Sequence, residues 1–103
     1  MKNQISEAAL EAEALMYEAG PFCAGGVGWS YTVERDCVLV DLGNGWFVQV
    51  RVEEERAILD LGERARGGGV ATMTVSDGPL RVAVVFATAL DSMAVLADHL
   101  ENS

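Results

Sequence analysis

Residues 37–52 read CVLVDLGNGWFVQVRV, two alternating apolar runs that meet at Gly43-Asn44-Gly45. Period-two alternation on both sides of an Asn-Gly pair is the strongest short-range hairpin signal, and it commits the middle of the chain to antiparallel sheet. The register follows from burial. A two-residue Asn44-Gly45 turn sets Leu42 opposite Phe47 and Val40 beside Gln49. A three-residue Gly43-Asn44-Gly45 loop pairs Leu42 with Trp46, Val40 with Val48 and Val38 with Val50. The second register gathers one apolar face and leaves Asp41, Gln49 and Arg51 on the other. A one-residue slip exchanges the two faces of a strand, so the register with the clean apolar face is predicted, with Gly45 in the left-handed conformation. Trp46 is then a core residue. Phe47 falls on the opposite face and is a candidate contact anchor.

The flanking segments extend this sheet. Residues 29–33, WSYTV, are aromatic and β-branched, and Glu34-Arg35-Asp36 supplies a polar turn. Residues 53–61, EEERAILDL, admit two readings. As a strand after an EEER turn, Ala57, Leu59 and Leu61 point one way; as a helix, the same residues are good formers and Gly62 is the C-cap. The strand is preferred. Residues 70–76, VATMTVS, and 80–87, LRVAVVFA, flank Asp77-Gly78-Pro79 and read as a last hairpin. In its second strand Leu80, Val82, Val84 and Phe86 share a face, and Ala83 and Val85 opposite are also apolar, the pattern of a central strand.

Helices close both ends. Residues 6–19 carry Ser6 as N-cap and Glu7 in the first turn, with Ile5, Ala9, Ala12, Met16 and Ala19 in one apolar stripe before Gly20-Pro21 ends the run. Thr88 to Asp91 resembles a capping box, with Asp in place of Glu. It would open a closing helix through Leu100 that turns Leu90, Met93, Ala94, Ala97 and Leu100 to the core. The glycine-rich pieces CAGGVG (23–28) and GERARGGG (62–69) read as flexible connectors. The predicted fold is one α+β domain over residues 1–103: a mostly antiparallel meander of five or six strands, bracketed by an N-terminal and a C-terminal helix.

Charge narrows the function. Sixteen Asp and Glu oppose seven Lys and Arg, a net charge of −9 and a pI near 4.3, yet half of the residues are apolar. That apolar share argues for a folded core despite the charge. Phosphate and anionic membranes repel such a chain, so neither direct nucleic-acid binding nor membrane association is expected. A protein with a basic surface is the favoured partner. The apolar excess in so small a chain points to a homodimer or a partner groove. Residues 82–90 form the longest apolar run, too short to span a bilayer. The N-terminus is acidic after Lys2, unlike a secretory signal or transit peptide. Cys23 and Cys37 match neither a CxxC pair nor a zinc set, and are expected as two reduced thiols of a cytoplasmic protein.

The chemistry-bearing patterns fall short of an enzyme. RARGGG (64–69) lacks the Lys and helix of a phosphate-binding loop. His99 is the one histidine, and Asp98 beside it does not share its helix face. Asp36, Asp41 and Asp60 come near one another across strands but read as solvated sheet-face charges. No catalytic group, metal or cofactor is expected. The acids themselves are the remaining signal, because spaced carboxylates on a rigid scaffold imitate a phosphate track. Glu7, Glu11 and Glu18 form a helix stripe, and Glu53, Glu54 and Glu55 cluster at a strand end near Asp60 and Glu63. With Asp41 and Phe47 these are the predicted partner-binding residues.

In architecture and charge the whole chain resembles three groups of small bacterial or phage proteins: class I type III secretion chaperones, toxin-immunity proteins and phage anti-CRISPR proteins. Each acts by binding another protein. The acids point to a non-enzymatic antagonist that occludes a basic groove of a protein partner, with nucleic-acid-handling machinery the expected target. Its alternatives are a dimeric chaperone holding a client segment and a toxin-immunity protein. The chaperone resemblance also implies a helix within the sheet, which only a helical reading of residues 53–61 would supply.

Overall fold

The computed structural model describes residues 4–26, 28–43, 45–63, 69–76 and 82–102. The chain is α+β. Helix α1 (Glu7–Ala19) and a single 3-10 turn (Gly20–Phe22) precede five strands, β1 (Ser30–Val33), β2 (Val38–Gly43), β3 (Trp46–Glu53), β4 (Arg56–Glu63) and β5 (Gly69–Val75), and helix α2 (Val82–Glu101) closes the chain. The strands pair antiparallel in the order β1-β2-β3-β4-β5, a meander.

Strand alternation divides the sheet into two unlike faces. Val38, Val40, Trp46, Val48, Val50, Ala57, Leu59, Leu61 and Val75 are all buried, and the pairings Val38–Val50, Val40–Val48, Val48–Leu61 and Val50–Leu59 place them on one side. Both helices contribute to the core over that side: Ala12, Leu15, Met16 and Ala19 from α1, and Phe86, Leu90, Met93 and Ala97 from α2. The opposite face carries Thr32, Gln49, Thr72 and Thr74 exposed, with Leu39, Phe47, Ile58 and Asp60 half-buried. The molecule is therefore two layers, one helical and one sheet.

The first helix forms as predicted. Ser6 is its N-cap, its hydroxyl accepting from the Ala9 N–H at 3.2 Å. The Ser6 N–H donates to the Arg35 carbonyl at 2.8 Å, which ties the start of α1 to the β1–β2 turn. Leu15 joins the buried stripe, whereas Ile5, ahead of the cap, stays 38 % exposed.

The opening hairpin keeps the apolar register but closes it differently. Val38–Val50 and Val40–Val48 pair as predicted, and Gly45 has φ +81°. Trp46, however, pairs with Gly43 and not Leu42, because the ladder shifts between Asp41 and Gly43. One extra residue, Leu42, is absorbed as a bulge. The Asp41 carboxylate accepts from the Gly43 N–H at 2.8 Å and shapes the bend. The physical demand, one buried apolar face, is met by bulging the strand in place of lengthening the loop.

The larger correction concerns residues 82–87. They do not form a sixth, central strand; they are the first turns of α2. A short apolar run satisfies both periods, and here Phe86, Leu90, Met93 and Ala97 are buried at helical spacing while Val84, predicted to share a strand face with Phe86, is 45 % exposed. Thr88 is consequently inside the helix and not a cap. Its hydroxyl donates to the Val84 carbonyl and that of Ser92 to the Thr88 carbonyl, both four residues back. Ala94 is half-buried and Leu100 exposed, so the closing stripe is narrower than predicted. Residues 83–101 are long and apolar enough to cross a membrane by length and composition, and in this fold Phe86, Leu90, Met93 and Ala97 form a buried stripe in the core. The turn expected at Asp77-Gly78-Pro79 and most of the 62–69 loop lie outside the described residues.

Candidate functional site

A meander puts alternate turns at the same end of the sheet, and here that end is acidic. The β1–β2 turn carries Glu34 and Asp36, and the β3–β4 turn carries Glu53, Glu54 and Glu55. The Ser6–Arg35 hydrogen bond brings the first turn of α1, with Glu7, to the same end. All six carboxylates are exposed, with Arg35 and Arg56 the basic residues in these turns. The local field is felt at Cys37, half-buried in the first turn. Burial pushes its thiol up, Glu34 and Asp36 push it further, and Arg51 opposes them.

Glu54 and Glu55 form a two-residue turn in which both residues have positive φ, +53° and +63°, and Glu53 pairs with Arg56 across it. This is the backbone of a type I′ turn, which favours Asn-Gly. Two glutamates hold it at a steric cost, because the left-handed region crowds Cβ against the backbone. Replacing the pair with Asn-Gly (E54N/E55G) is expected to raise unfolding stability by about 1–2 kcal/mol. Urea denaturation checks this, and an unchanged or lower midpoint would show that the turn is not strained.

The predicted contact residues separate into distinct neighbourhoods. Glu7, Glu11 and Glu18 are exposed along α1, and no ion pair among the described residues involves them. Arg51 donates through Nε to Glu53 at 3.0 Å and through Nη1 to Asp60 at 3.3 Å, and Arg56 donates to Glu54 at 3.1 Å. Asp60 also accepts from the Thr72 hydroxyl at 2.6 Å. Asp60 and Asp41 each carry an internal hydrogen bond, as Glu53 and Glu54 carry ion pairs. Glu63 pairs with Trp46 at the far end of β4, roughly 23 Å from the Glu54-Glu55 turn at strand rise, so it does not belong to that cluster. Phe47 is half-buried on the sheet face opposite the helices. Glu34 and Asp36 were not among the predicted contacts; the meander itself was the available signal, since it dictates which turns meet.

A second neighbourhood lies around Asp91, in the middle of α2. Its Oδ2 accepts from the Ala24 N–H at 2.8 Å and its Oδ1 from the Trp29 indole at 3.0 Å. The Cys23 carbonyl accepts from the Gly26 N–H at 2.8 Å, and the Cys23 thiol is buried, donating weakly to the Ala19 carbonyl. Burial raises that thiol, with Asp91 adding to the effect. Gly28 has φ +79°, and a Cβ there would meet the Gly20 Cα at 3.1 Å, so a side chain would be both strained and crowded. The stretch expected to be a flexible connector is therefore tied to α2 and packed against the end of α1.

Beside it runs an open groove of about 450 Å³, between the C-terminal half of α1 and β1, lined by Met16, Tyr17, Glu18, Trp29 and Tyr31 among others. On another side of Trp29 is a smaller hollow of about 200 Å³ that includes Trp46 and Asp98. The Trp46 indole donates to Glu101 at 2.8 Å, anchoring the end of α2 to the sheet. Fold and surface together define a two-layer α+β protein with an acidic end and an aromatic groove. No family model, curated protein or solved structure matches the chain.

Proposed function

We propose that this chain is a non-enzymatic, cytoplasmic protein-binding domain that occludes a basic surface of a protein partner, as an antagonist of nucleic-acid-handling machinery. The observation that carries the reading is the acidic end. Glu7, Glu34, Asp36, Glu53, Glu54 and Glu55 converge there from three separate elements, in a chain whose net charge is −9. The carboxylates are exposed on turns that share one end of the sheet, and a complementary field speeds encounter and sets orientation. The secretion-chaperone alternative is weakened, because residues 53–61, which would have to be helical to supply its helix within the sheet, are the end of β3, a two-residue turn and β4.

The test is capture of partners from a bacterial lysate on the immobilised protein, washed at low and then high ionic strength, beside an E34K/E54K/E55K variant. These positions are exposed turn residues, so the variant is expected to keep the parental unfolding midpoint. A basic nucleic-acid-binding protein is expected to be retained, to elute with salt, and to be lost on charge reversal. A partner that survives high salt and ignores the reversal would overturn the reading.

A further inference from the structure

We infer that the groove between α1 and β1 receives a basic side chain carried on an extended segment of the partner. This rests on the proposed reading of the chain as a binder of a basic partner, and adds the place where one cation is desolvated. Three aromatic residues, Tyr17, Trp29 and Tyr31, line one groove together with the acidic Glu18. Ring faces and a carboxylate are the environment that a guanidinium or ammonium group seeks. Trp29 has its single polar atom committed to Asp91, so the indole is held in place and asks nothing polar of a ligand. The Asp91 carboxylate also puts negative charge beside the ring. Tyr17 is 81 % exposed, a large ring that a bound chain would cover.

The fold favours an extended occupant. Strand β1 is an edge of the sheet, and Tyr31 belongs both to that edge and to the groove, so a segment pairing along β1 passes directly over the rings. A second copy of this chain is the poorer occupant, because two molecules of charge −9 repel each other.

The probe is the peptide acetyl-Thr-Val-Arg-Val-Thr-amide and its twin with citrulline, a neutral isostere, in place of arginine. Each is titrated at low salt into the isotopically labelled full chain, and NMR follows the Trp29 indole, the Tyr17 and Tyr31 rings, and the amides of the acidic end. The arginine peptide is expected to shift the three aromatic signals and to bind about tenfold tighter than its twin. Y17A and E18Q are each expected to weaken it severalfold with an unchanged unfolding midpoint, since both side chains are exposed. Equal binding of the citrulline peptide in the groove would overturn the inference. Arginine-dependent shifts confined to residues 34–36 and 53–55 would also overturn it, while leaving the basic-partner reading intact. Absence of any arginine-dependent shift would remove both.

Discussion

Replacing Phe86 with alanine is expected to lower unfolding stability by about 3–5 kcal/mol, whereas V84A should stay within about 0.5 kcal/mol of the parent. Phe86 is fully buried among the residues that join α2 to the sheet, and its removal leaves a cavity that close-packed neighbours cannot fill. Val84 is 45 % exposed, two residues away. The contrast tests the architecture as well as the site. On a strand the two side chains would share a face and both truncations would be costly; on a helix they diverge by about 200°, since successive residues turn by about 100°. Urea denaturation of the two variants reads this directly. Comparable losses would place residues 84 and 86 on one face and would contradict the helical start of α2. For a domain of this size, a loss of several kcal/mol leaves little of the folded state.

Asp91→Ala is the second large effect. One carboxylate accepts from the Ala24 amide and the Trp29 indole, more than sixty positions away in sequence, and holds the 23–29 segment on α2. Hydrogen bonds to a charged acceptor contribute about 1.5–3 kcal/mol each, and solvent access at Ala24 reduces the total, so a loss of about 2–4 kcal/mol is expected. D91N keeps one carbonyl acceptor and should fall between. Two readouts separate this role from a general surface effect. The Trp29 indole N–H signal should move to the position of a solvent-exposed indole. Cys23, whose thiol is raised by burial and by Asp91, should alkylate faster at neutral pH once its cover loosens and the negative neighbour is gone. A D91A protein with parental stability and an unmoved indole signal would show that the segment is held by packing alone. The same variant should weaken the groove, because it frees Trp29, so Y17A remains the cleaner probe of binding there.

Much of the sheet was legible in the residues because strand periodicity is local. Alternation from Val38 to Val50 and again from Ala57 to Leu61 identified the buried face, and Asn44-Gly45 identified where the chain turns. Ser6 announced the start of α1 by the same locality, since a cap needs only its own backbone and the amide three residues on. The candidate surfaces were legible only as inventory. The acids could be counted and assigned to elements, but Glu63 and the Glu53-Glu54-Glu55 turn are neighbours in sequence and opposite ends of a strand in space. The aromatic groove was not legible at all. Tyr17, Trp29 and Tyr31 belong to a helix, a loop and a strand, and only the packing of α1 over β1 brings them together.

The amino-acid sequence by itself determined the α+β class, the antiparallel meander, the apolar face of that sheet and the net negative charge, because each depends on residue type and short-range period. The tertiary structure decided what short-range period leaves ambiguous. Residues 82–87 satisfy a strand and a helix equally well as an isolated run. They become helix because the open apolar face over β4 and β5 is covered by one continuous element, whose stripe Phe86-Leu90-Met93-Ala97 meets it at 3.6-residue spacing. It also decided which carboxylates share an end and which ring stands beside which acid. Those relations join residues tens of positions apart, and packing of the two layers, not local propensity, sets them.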